Sequence, residues 1–251
     1  MPALQKTLAA VSVGAIATLG SAGAAFAAGN PATLTQIQSQ AQTAITARVD
    51  SMATAGQEIS AKKHLTAADA TTISNLFASD TSGLQALGAK IAADTTVAQA
   101  RADYKTIFTA YRVYVVAIPQ AHLATADDTL VTGALPHLSD AQQRLQTLLA
   151  GPDSAADTPA VQAAMTDLAT QIQTISAANG LDTQVLAVTP AAWNANHQVM
   201  APFHQTVTSA WAAVRSARSD ISAVVSAIRS SHGQSSSPGG GQASPAAGTN
   251  A

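Results

Sequence analysis

"MAPFHQTVTSAWAAVRSARSDISAVVSAI", residues 200–228, decides the fold class. Met200, Val207, Val214, Ile221 and Ile228 fall seven apart without a break, and Phe203, Ala210, Ala217 and Val224 form a companion seam. That spacing gathers both sets on one side of an α-helix and repeats as it does in helices packed side by side. The small residues of the second seam let a partner helix come close. The spacing predicts one long helix from the "NANH" turn to about Arg229, with Val214 at the centre of its buried stripe.

Working back from this helix, the same periodicity recurs. Leu34, Ile37, Ala41, Ile45, Val49 and Met52 step by threes and fours over 31–57. "TAAD" (66–69) reads as a capping box, with Thr66 as N-cap and Asp69 reaching back. The helix it opens carries Ile73, Phe77, Asp80, Leu84, Leu87 and Ile91 in heptad spacing, with one acid in the seam. Asp94-Thr95-Thr96 caps a third helix expected to reach about Ala150, kinked at Pro119 because proline lacks a backbone donor and crowds the preceding turn. Gly133 and Pro136 mark a second weak point. A shorter helix covers about 159–178 and stops at Asn179-Gly180, and Thr189-Pro190 opens a short turn of helix. The fold class is all-α: an elongated antiparallel bundle of about five helices with coiled-coil-like heptad packing, one of them long and Pro-kinked. In this arrangement the first two helices and the start of the third pack with the end of the last helix. The rest of the third packs with the fourth and with the start of the last.

The ends read differently. Lys6 followed by the uncharged "TLAAVSVGAIATLG" (7–20) and the small-x-small "AFA" (25–27) reads as an export signal, expected to be cleaved after Ala27; the competing reading is an uncleaved membrane anchor over 7–28. The bundle then occupies 28–230. Residues 231–251, rich in Ser, Gly, Pro and Ala, cannot bury enough apolar surface to order themselves and read as a disordered tail. The expected location is secreted, extracellular or associated with the cell wall, with no integral membrane span once the signal is removed.

Composition restricts function. Charged residues make up 10% of the chain and the net charge is −2, which gives no field for nucleic acid. There is no cysteine, so disulfides, thiolate metal sites and thiol nucleophiles are absent. No serine lies in a GxSxG elbow, Glu58 is the one glutamate, and no ordered glycine-rich phosphate loop exists. The six histidines do not take metal spacing: His197 and His204 are seven apart, roughly 10 Å along a helix, and only His137 with Asp140 form an i,i+3 pair. Asp127 and Asp128 are sequence neighbours that diverge by about 100° on a helix, so neither faces the other without a partner from elsewhere. No catalytic residue, cofactor or metal is expected.

"YRVYVVAIPQAHL" (111–123) is the stretch least like its surroundings. Tyr104, Phe108, Tyr111, Val115 and Ile118 share one helix face, expected to fill the thickest layer of the core where two sub-bundles meet. Tyr111, Arg112, Tyr114, His122, Trp193 and His197 are the candidate ligand or interaction residues. The antiparallel turn at 94–96 sets Asp80 opposite Arg112, a candidate ion pair that would fix helix register.

"LTAAD" (65–69), "YRVYVVAIPQAHL", "TPAAWNANH" (189–197) and "SARSDI" (216–221) together resemble a group of exported, all-helical actinobacterial proteins. The resemblance implies export and a helical fold, and it carries over no catalytic residues. Gln120-Ala121, Gly133 and Pro136 depart from its pattern. The expected role is an exported helical bundle without enzymatic activity, binding an unknown protein or cell-envelope partner or serving as an envelope component. The alternative is a carrier of a small apolar or lipid ligand, held in a cavity near Tyr111, His122 and Trp193.

Overall fold

A computed structural model describes residues 32–235, and every regular element in that span is helical. The elements are α1 (Leu34–Ser60), α2 (Ala67–Ala93), α3 (Val97–Thr109), α4 (Ile118–Asp128), α5 (Leu135–Ala150), α6 (Pro159–Ser176), α7 (Leu181–Leu186), α8 (Pro190–Ala195) and α9 (Ala201–Ser235). Thr66, Thr96, Thr158 and Thr189 each cap a helix, accepting the backbone N–H three residues on. Pro159 and Pro190 follow their caps directly, where a missing N–H costs nothing. Gly180 turns the chain after α6 with a left-handed φ of 82°.

α1, α2 and α3 form one antiparallel group. Gln38 at the start of α1 donates to the carbonyls of Ile91, Ala92 and Asp94 at the end of α2 (3.1–3.2 Å), serving acceptors that the helix end leaves open. Lys90 meets Asp103 at 2.8 Å across the α2–α3 turn. Further along, the Tyr111 ring lies so close to Gly83 that a Cβ there would stand 2.7 Å from its Cε1.

The long third helix differs from its expected form. It breaks at Ala110–Arg112, before either proline, and resumes as a π-helical turn, Val113–Ala117, that runs into α4. A second π turn, Thr129–Ala134, joins α4 to α5. Each π turn ends just before a proline: Ile118 N–H bonds to the Val113 carbonyl ahead of Pro119, and Leu135 N–H to the Leu130 carbonyl ahead of Pro136. A π turn widens the helix by one residue, which opens room for the proline ring where an α turn would kink. The break also shifts the exposed face: Val115 is exposed, and Val113 and Val116 are buried in its place.

The last helix differs as well. α9 packs along α6 and α5 and also touches α4 and the second π turn, whereas α1, α2 and α3 are not among its main neighbours. Its end lies at the α5–α6 connection, where His232 and Asp153 meet at 2.6 Å. The reason is α7 and α8, which dock on α4 and α3 and so start α9 from that end. α4, which touches α1, α2, α7 and α9, joins the two groups of helices. The helix also continues five residues past the expected tail boundary, to Ser235. The rest of that tail and the expected signal segment lie outside the described residues.

Along α9, Val214 (1% exposed), Ala210, Ala217 and Val224 are buried as the seam predicts, with Ile221 and Ile228 only partly covered. Ala213, on the flank of the stripe, is also buried at 3%.

Candidate functional site

The structure divides the side chains that the sequence singles out. Arg112 and Trp193 come together: the guanidinium sits 4.5 Å over the indole ring, and Arg112 Nε donates to Asn194 Oδ1 at 2.7 Å. Asn194 Nδ2 in turn donates to the Thr109 carbonyl (2.8 Å), so α8 closes over the end of α3 at the break. His197 stacks on Trp193 with ring centres 4.1 Å apart. Tyr114 belongs to another group. It donates to the Ala47 carbonyl at 3.1 Å, and its ring and that of Phe108 flank the Arg48 guanidinium at 5.1 and 4.5 Å. Tyr111 covers Gly83, and His122 is exposed beside Glu58 and Lys62. Tyr111, His122 and Trp193 therefore point to three different neighbourhoods rather than into one cavity.

Asp80 and Arg112 do not pair. The hairpin register is close to that expected, but the break after α3 turns Arg112 onto α8. Asp80 is left half-buried, with burial pushing its carboxyl above the ordinary range and no cation pulling it back. A double-mutant cycle of Arg112→Ala with Trp193→Ala should show coupling of about 0.5–1 kcal/mol. The cycle of Arg112→Gln with Asp80→Asn should be additive within about 0.5 kcal/mol by chemical denaturation.

Gln120 is the buried polar residue of the stretch, at 1% exposure. Its Nε2 donates to the Val185 and Val188 carbonyls, both at 2.6 Å, and so ties α4 to the end of α7. Gln120→Ala should cost about 1–3 kcal/mol, since it strips a buried carbonyl of its donor and leaves a gap. Urea melts would measure the loss, and hydrogen exchange should place it at α7.

The densest chemistry lies one to two turns further along α4. Asp69 from α2, Asp128 from α4 and Asp182 from α7 bring one carboxylate oxygen each within 4.8 Å of one another. Asp69 (6% exposed), Asp127 (2%) and Asp128 (4%) are buried, and Asp182 partly so. The capping box explains part of the arrangement. Thr66 Oγ1 accepts the Asp69 N–H at 3.2 Å as predicted, but the Thr66 N–H donates to Asp128 Oδ2 at 2.7 Å instead of to Asp69. The Asp69 side chain is thus released toward the other carboxylates, and its Oδ2 has no hydrogen-bond partner. Asp127 meets the start of α7. Its Oδ2 accepts the Asp182 N–H at 3.1 Å and its Oδ1 is unpartnered.

Such a centre resists full ionisation. Burial pushes the Asp69 carboxyl up to about 7, and the charges of Asp128 and Asp182 push in the same direction. Burial likewise lifts Asp127 to about 6, partly offset by the backbone N–H groups of Asp182 and Leu181. No lysine or arginine takes part in either shift. Carboxylic acids gathered in this way can hold protons or a cation. The capping-box spacing accounts for Asp69 as a cap residue, but the partners of Asp127 and Asp128 come from residues more than fifty positions away.

No family model matches the chain, and no curated protein or solved structure matches it. Among the described residues, no helix is long and apolar enough to cross a membrane.

Proposed function

We propose that this chain is an exported, non-enzymatic helical bundle that serves as a binding or structural component of the cell envelope or extracellular space. One observation carries this reading. Five polar side chains between 111 and 128 direct hydrogen bonds to other helices: Arg112 to α8, Tyr114 to α1, Gln120 to α7, Asp127 to α7 and Asp128 to the cap of α2. Residues used this way hold a scaffold together, whereas a transfer reaction needs nucleophile, base and substrate-facing donors converging on open space. The resemblance of the 65–69, 111–123 and 189–197 stretches to exported helical proteins accords with this.

Fractionation of the native host and native mass spectrometry of the purified protein test the proposal together. The protein should appear in the medium or envelope with its N-terminus at Ala28, and its intact mass should carry no lipid. Cytoplasmic protein that keeps Met1 would refute export. A stoichiometric lipid adduct would replace the scaffold reading with the carrier.

A further inference from the structure

We propose that Asp69, Asp128 and Asp182 form a binding site for a hard divalent cation, with Ca2+ preferred over Mg2+. Three independent elements deliver the ligands, and their oxygens already lie within 4.8 Å of one another. Oxygens no more than 4.8 Å apart leave a point about 2.8 Å or less from each, so small side-chain shifts would bring all three to the Ca–O distance of about 2.3–2.6 Å. The second observation is Asp69 itself. It is 94% buried, its Oδ2 has no donor, and the N–H that a capping box would have given it is taken by Asp128. A buried carboxylate oxygen with no donor is costly, and a cation held with Asp128 and Asp182 would satisfy the one on Asp69.

The donor set selects the class of ion. All the ligands are carboxylate oxygens, which suit Ca2+ and Mg2+ and disfavour the softer metals that seek imidazole or thiolate. Burial then separates the two. A cation reaching Asp69 and Asp128 must give up most of its water, which Mg2+ does reluctantly and Ca2+ readily. Ca2+ also tolerates the irregular geometry that three separate helices provide. Asp128 can ligate through Oδ1, since Oδ2 is held by the Thr66 N–H. Asp127 is a positioning residue, because its hydrogen bond to the Asp182 N–H fixes the start of α7. Bound Ca2+ would join α2, α4 and α7 and so act on the contact between the two groups of helices.

Full-length protein stripped with EDTA and dialysed tests this by calorimetric titration and by thermal melts with CaCl2 or MgCl2. Ca2+ should bind one to one, and at 10 mM it should raise Tm by about 3–10 °C. MgCl2 at equal concentration should give a smaller shift. Asp69→Asn, nearly isosteric, should fold and lose at least tenfold in Ca2+ affinity. Asp94→Asn, an acid outside the cluster, should bind Ca2+ as the wild type does. Absence of both heat and Tm shift in the wild type would overturn the proposal. So would a Ca2+ response in Asp69→Asn equal to that of the wild type, which would mark general surface binding. A larger response to Mg2+ would overturn the Ca2+ preference.

Discussion

Val214→Asp should unfold the protein or leave it a loose helical state, and Ala213→Asp should do nearly the same. Val214 is 1% exposed and Ala213 is 3% exposed, both buried in a helix whose main neighbour is α6. A carboxylate at either buried site is taken out of water, at a cost of several kcal/mol. A typical domain has only about 5–15 kcal/mol in total. A strict heptad reading predicts that Ala213 is a tolerant flank. The structure predicts otherwise, because α9 buries an arc wide enough to hold Ala210, Ala213, Val214 and Ala217 together, and small side chains let α6 close over all of them. Ala212, the next residue, is exposed, and Ala212→Asp should shift stability by no more than about 0.5 kcal/mol. Circular dichroism melts compare the three. An Ala213→Asp protein that melts like Ala212→Asp would contradict the α6–α9 packing.

The second large effect is a dependence of stability on pH with a sign opposite to the usual one. Carboxylates in most proteins are held below their unfolded pKa, so stability grows as pH rises from acid values. In the metal-free protein Asp69 is raised from 3.8 to about 7, and Asp127 from 3.8 to about 6. The folded state therefore binds protons more tightly than the unfolded chain between these values. Their contribution is complete below about pH 4 and is lost as pH rises through 6 and 7. Each pKa unit corresponds to about 1.4 kcal/mol, and with the groups acting on one another the loss from pH 5 to pH 8 should be on the order of a few kcal/mol. Urea denaturation in EDTA at those two pH values measures it. Asp69→Asn should flatten the dependence and stabilise the protein at pH 8.

The helical class and most element boundaries are legible in the sequence because they rest on local physics. Threonine caps, Pro at the first helical position, Gly180 and the heptad of α9 each act within a turn or two of their own position. What was not legible depends on distant partners. Nothing at Ala110–Arg112 resembles a helix stop; the chain breaks there as Tyr111 lies on Gly83 and Arg112 reaches α8. The π turns answer to Pro119 and Pro136, but sequence alone does not distinguish a π turn from a kink. The direction of α9 depends on α7 and α8, whose six residues each are too short to show a periodic face. The carboxylate centre joins three acids from α2, α4 and α7. Its one local signal was Asp127-Asp128 set among Leu123, Ala124 and Leu130, a charged pair inside an apolar run that must find company when buried.

Asp69, Asp128 and Asp182, from three helices, form one interacting carboxylate centre, with Asp127 held beside it by the Asp182 N–H. A carboxyl-carbon NMR titration of isotope-labelled, metal-free protein tests it most directly, with Asp69→Asn used for assignment. Asp69 should release its proton near pH 7 and Asp127 near pH 6. Titration of both Asp69 and Asp127 near 3.8 would mean that neither is buried among other carboxylates, and would contradict the centre.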